Sequence, residues 1–95
     1  VKLLNKLSSI LSKEKIGSIY AFRKGIYGAK MFVIIDKDKD NLNFLVLPDN
    51  LPLPLSHSEF KYYKNTKTCE FVEVLPDFVF EVCKAQYVKS LNYNK

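Results

Sequence analysis

Ninety-five residues with a formal net charge of +5 make one domain, spanning 1–95, and leave no room for a second. At 47% hydrophobic and 14% aromatic, the composition excludes the weakly hydrophobic, highly charged class of disordered chains and supplies a core that needs no staples. Two cysteines, Cys69 and Cys83, exclude a disulfide framework or a zinc site; they read as free thiols in a reducing compartment, with a single disulfide between them as the alternative.

In chain order, the segment through Lys13 reads as an amphipathic helix. Leu3, Leu4, Leu7, Ile10 and Leu11 recur at helical spacing, Lys2, Lys6, Ser9 and Lys13 fill the other side, and Gly17 is its natural stop. A lysine in every turn leaves no apolar run fit for a membrane span or a signal-peptide core. No membrane partner is expected, and the expected location is cytoplasmic.

Three short strands follow. Ser18 to Lys24 leads through Gly25-Ile26-Tyr27-Gly28, a tight connection, into Lys30 to Ile35. That second run is nearly all apolar, as a central strand covered on both faces should be. The polar turn Asp36 to Asn41 separates it from Leu42 to Leu47, and the three strands form an antiparallel meander. Pro48 to Leu55 carries three prolines, which cannot pair as a central strand, and reads as an extended surface crossover. Phe60 to Lys64 and Thr68 to Val74 read as a second hairpin around Asn65-Thr66.

Pro76 suits the first position of a C-terminal helix, and Asp77 in the first turn complements the helix dipole. Phe78, Val79, Val82, Cys83, Tyr87 and Leu91 form an apolar arc opposite Glu81, Lys84 and Asn92. Of these, Phe78, Val82 and Cys83 are expected to be buried against the sheet. The fold class is therefore α+β, a small antiparallel sheet of about five strands (meander plus hairpin) flanked by an N-terminal and a C-terminal helix. The alternative architecture curls the strands into a small SH3-like barrel with the helices outside.

Few residues form a pattern that carries chemistry. Asp36, Asp38 and Asp40 alternate as at the start of a calcium loop, but the sixth and twelfth positions hold Asn41 and Leu47 where glycine and a bidentate acid are required. His57 stands between Ser56 and Ser58 with no third group to orient it as a base, and a capping role for the serines explains the segment better. Gly25 and Gly28 lie in a hairpin connection, where a phosphate-cradling motif does not occur. No cofactor, no metal and no catalytic residue are expected, and the chain reads as a non-enzyme.

Charge is unevenly spread: residues 1–35 carry a net +6, residues 36–60 a net −3, and residues 61–68 a further +3. Fourteen of the 15 basic residues are lysine, a bias that AT-rich coding sequences also produce. Aromatics interleave with cations in Tyr20-Ala21-Phe22-Arg23-Lys24 and in Phe60-Lys61-Tyr62-Tyr63-Lys64, a surface on which bases stack while lysines follow phosphates. The candidate nucleic-acid-binding residues are Arg23, Lys24, Lys30, Lys61, Tyr62, Tyr63, Lys64 and Lys67. Ordinary alternation on a half-buried strand explains Tyr20 and Phe22 as core instead.

Ile16-Gly17-Ser18-Ile19-Tyr20, followed by Met31-Phe32-Val33-Ile34-Ile35, resembles the opening of the PemK-like ribonuclease toxins. The likeness implies an SH3-like barrel and RNA cleavage. It departs from that family at Ala29-Lys30, where an arginine-proline pair is usual, and in the helix expected before Gly17. Two readings of function stand beside it. One is a small regulatory protein, of the kind phage and mobile elements encode, that contacts RNA or single-stranded DNA. The other is a protein–protein interaction module, an inhibitor or assembly factor.

Overall fold

A computed structural model describes residues 14–23 and 29–93. The expected N-terminal helix and the Gly25–Gly28 connection lie outside these residues. The described chain runs β1 (Ser18–Phe22), β2 (Lys30–Lys37), β3 (Asn41–Leu47), β4 (Leu51–Ser56), α1 (His57–Asn65), β5 (Cys69–Val74) and α2 (Asp77–Tyr93). All five strands form one antiparallel sheet in the order β4-β3-β2-β1-β5. The class is α+β, but the sheet is open, with β4 and β5 as separate edges, so the barrel alternative is overturned.

Alternation divides the sheet into two apolar faces. Tyr20, Phe22, Phe32, Ile34, Leu42, Phe44, Val46 and Leu55 point to one side, where Phe60 of α1 joins them. Ile19, Val33, Ile35 and Leu45 point to the other, where Cys83 of α2 seals them with Val79, Phe80 and Tyr87 at its margin. β2 is central and covered on both faces, which is why Phe32, Val33 and Ile34 are all completely buried.

The proline-rich segment corrects the sequence reading. Leu51–Ser56 is a strand after all, pairing Leu55 with Leu42 and Leu53 with Phe44. Backbone direction alternates along a strand, so Pro52 and Pro54, two residues apart, direct their missing N–H groups to the same side. On an edge strand that side faces away from the sheet, and nothing in the ladder is lost. Leu53, between these two prolines, and Leu55, after them, still reach the core.

Phe60 to Lys64 is likewise a helix and not a strand. Ser56 caps it: its hydroxyl accepts from the Glu59 backbone N–H at 3.1 Å, and Glu59 returns a bond to the Ser56 N–H at 3.0 Å. This reciprocal box starts a helix whose buried residues, His57 and Phe60, are three apart, with half-buried Tyr63 three further on. Replacing Ser56 with alanine should lower stability by about 1 kcal/mol, measured by urea unfolding.

The C-terminal helix exists as expected but faces differently. Cys83 is buried, whereas Phe78 is 76% exposed and Val82 is 61% exposed. The inward stripe is Val79, Phe80, Cys83 and Tyr87, with the Phe80 ring 3.6 Å from the position a side chain on Gly17 would occupy. Gly17 holds φ at +93° while its N–H donates to Ile34 and its carbonyl accepts from Leu75, so it ties β2 to the start of α2. Apolar residues surround the helix, and the stripe nearest Gly17 is the one that docks.

Candidate functional site

The eight candidate nucleic-acid residues do not gather on one strand face. Arg23 and Lys30 lie at one end of the sheet, where Phe22 pairs with Lys30, and line an open cleft of about 340 Å³ with Ala21, Met31 and Leu47. Arg23 is ion-paired with Glu70, and Lys30 reaches Asp49 at 2.8 Å. Lys61, Tyr62, Tyr63 and Lys64 sit on α1, across the sheet from α2. Tyr63 packs against Phe22 with ring centres 5.8 Å apart, and Lys64 pairs with Glu14 while lying 5.5 Å from the centre of the Phe60 ring. Tyr62 is 63% exposed, and Lys61 and Lys67 are exposed near it in the chain. Lys24 lies outside the described residues. Carboxylates thus stand beside three of the seven described candidates.

Beneath α1 lies a polar knot. The Tyr20 hydroxyl is hydrogen-bonded to Glu14, which also holds Lys64, and Cys69 adjoins them. Burial, reinforced by the Glu14 charge, raises the Tyr20 pKa, and burial pushes the Cys69 thiol up to about 11 despite the nearby Lys64 charge. Burial raises Cys83, and it raises Tyr87 together with the charges of Asp36 and Asp38. The two thiols are buried on opposite sides of the sheet, so the alternative of a disulfide between them falls.

A folded-state pKa above the unfolded value stabilises the fold fully below the unfolded value, and the benefit is lost as pH rises through the folded one. For Cys69 that window runs from 9.0 to about 11, with Cys83, Tyr20 and Tyr87 acting in the same direction. Unfolding free energy should therefore fall on the alkaline side, and a thiol-specific reagent at neutral pH should label neither cysteine until denaturant is added. Rapid stoichiometric labelling of native protein would contradict this.

The Asp36 to Asn41 turn is held by its own backbone. Asp38 accepts from the N–H groups of Asp40 and Asn41, both at 2.8 Å, and these bonds hold its carboxyl below the usual range. His57 Nε2 donates to the Asp38 carbonyl at 2.7 Å, clasping the start of α1 to this turn. The histidine therefore positions a helix. Among the described residues no three His, Cys, Asp or Glu side chains cluster as metal ligands.

The surface that sequence reasoning missed is apolar. β5 exposes Phe71, Val72 and Val74, and after Leu75-Pro76 the outer face of α2 exposes Phe78 and Val82. Phe78 and Val82 are one helical turn apart and so form a single stripe. Four acids, Glu70, Glu73, Asp77 and Glu81, and no base fall between Lys67 and Lys84, in a chain of net charge +5. This run of acids among apolar residues is its signal in the sequence, where the apolar arc of the C-terminal helix, Phe78 and Val82 included, reads as core. No family model, curated protein or solved structure matches the chain.

Proposed function

We propose that this chain is a protein-interaction module, an inhibitor or assembly factor that engages another protein through β5 and the outer face of α2. The observation that carries the reading is the exposure of five large apolar side chains, Phe71, Val72, Val74, Phe78 and Val82, along one continuous stretch of chain. Small domains rarely leave such side chains in water together without a partner to cover them. Aromatic anchors such as Phe71 and Phe78 supply the kind of contact that dominates interface energetics. A non-enzymatic role accords with thiols held as neutral, buried groups and a histidine committed to the fold.

The nucleic-acid reading draws support from Tyr62, exposed between Lys61 and the half-buried Tyr63. The two readings separate by experiment. Wild-type chain and the double variant Phe78→Lys/Val82→Lys are used to isolate partners from cells that express it, and both are titrated with single-stranded RNA and DNA at low salt. The module reading expects a protein that the wild type retains and the variant loses, with no salt-sensitive nucleic-acid binding. Tight RNA or DNA binding that falls steeply with salt, and by about 1–3 kcal/mol in Tyr62→Ala, would replace it with the nucleic-acid reading.

A further inference from the structure

We infer that β5 is an acceptor edge: the partner contributes an extended segment, apolar residues alternating with lysine or arginine, that adds to the sheet as a sixth strand. The inference rests on the interaction-module reading and specifies its mode. Its first support is the different treatment of the two sheet edges. β4 is closed to pairing, since Pro52 and Pro54 remove the N–H groups that would face a newcomer. β5, the opposite edge, contains neither proline nor lysine in Cys69–Val74.

The second support is backbone direction. Arg23 N–H donates to the Thr68 carbonyl, and Leu75 N–H donates to the Gly17 carbonyl. Residues two apart on a strand share a direction, so Glu70, two from Thr68, and Glu73, two from Leu75, turn their backbones to β1, with a bulge at Val72 between them. Phe71 and Val74, next to them, turn theirs outward. Those outward N–H and C=O groups belong to side chains that are 52% and 43% exposed, respectively, so an added strand would find backbone partners and apolar neighbours together.

The third support is charge, which chooses the occupant. Glu70 and Glu73 lie on this strand, with Asp77 and Glu81 following on α2, and among the described residues the cation paired with them is Arg23, at Glu70. A second copy of the chain pairing antiparallel through β5 would bring glutamates against glutamates, which like-charge repulsion disfavours. A strand with cations at alternate positions meets the acids and leaves its apolar residues for the Phe71 and Val74 side.

The test uses the 95-residue chain, labelled with nitrogen-15, and three capped synthetic octapeptides: valine alternating with lysine, valine alternating with glutamate, and the valine–lysine composition in blocks. The expected result is saturable binding of the alternating lysine peptide alone, with the Phe71 and Val74 amides gaining protection from hydrogen exchange. Val74→Pro, which removes an outward N–H, should weaken that binding by about tenfold or more. Its circular dichroism and melting curve report whether it folds, and Phe71→Ser, which keeps the backbone edge, serves as a second variant with a smaller loss. Equal binding of the block peptide, or shifts confined to Phe78 and Val82, would overturn strand addition while leaving the module reading standing. Protection of the Phe71 and Val74 amides in the free protein would also overturn it: concentration-dependent protection identifies a second copy, and concentration-independent protection identifies the chain's own residues. Failure of the module reading is distinct, and appears as RNA or DNA binding on α1 with no response at β5 or α2.

Discussion

Replacing Phe60 with alanine should destabilise the protein by about 3–5 kcal/mol, the largest effect expected of any truncation on α1. Phe60 is completely buried, its ring edge-on to Tyr20 at 4.9 Å and tilted against Phe44 at 5.5 Å. Truncation leaves a cavity beneath a nine-residue helix that has one other buried residue, His57. Aromatic pairs of this geometry add to the area term, so the loss falls at the upper end of the range for removed side chains. For a domain of this size each kcal/mol lowers the melting temperature by about 4–8 °C. Thermal unfolding by circular dichroism measures it; a change of less than about 1 kcal/mol would mean that α1 does not seal this face.

A pair of neighbouring substitutions on α2 should differ as sharply. Cys83→Asp places a carboxylate among Ile19, Val33, Ile35 and Leu45, and should cost about 3–5 kcal/mol. Val82→Asp, one residue earlier, introduces the same charge at a position that is 61% exposed, and should change stability by about 0.5 kcal/mol or less. Urea unfolding of the two proteins compares them directly. Comparable losses at both positions would show that Val82 also packs against the sheet, as the apolar arc read from sequence implied.

Much of the sheet was legible because strand alternation and polar turns are local signals. β1, β2 and β3 appear where apolar runs alternate or saturate, and the buried run Phe32-Val33-Ile34-Ile35 marks the central strand. The misreadings each have a physical origin. Three prolines argue against a central strand at Pro48 to Leu55 and favour an extended crossover, yet two of them at a spacing of two fit the outer edge that Leu51–Ser56 forms. The aromatic-rich Phe60–Lys64 looked like a strand by composition, while the decisive signal, Ser56 and Glu59 forming a reciprocal cap, lies just before it. On α2, apolar residues occupy nearly every direction, and periodicity alone cannot say which stripe meets the sheet. Phe80, absent from the arc read in sequence, decides it by packing beside Gly17.

The candidate site was less legible for a related reason. Sequence shows which side chains are cationic, but not which carboxylates stand opposite them. Arg23, Lys30 and Lys64 meet Glu70, Asp49 and Glu14, partners 47, 19 and 50 residues away in the chain. The exposed apolar stretch was hidden by the ordinary assumption that such residues are core. Among the described residues no helix is long and apolar enough to cross a membrane.

The most direct test of the interaction-module account is hydrogen exchange on the 95-residue chain bound to the partner it retains, compared with the chain alone. The account predicts slowed exchange confined to Cys69–Val74 and the first turns of α2, with residues 57–67 unchanged. Protection centred on α1, around Lys61 and Tyr62, with β5 exchanging as in the free chain, would contradict it.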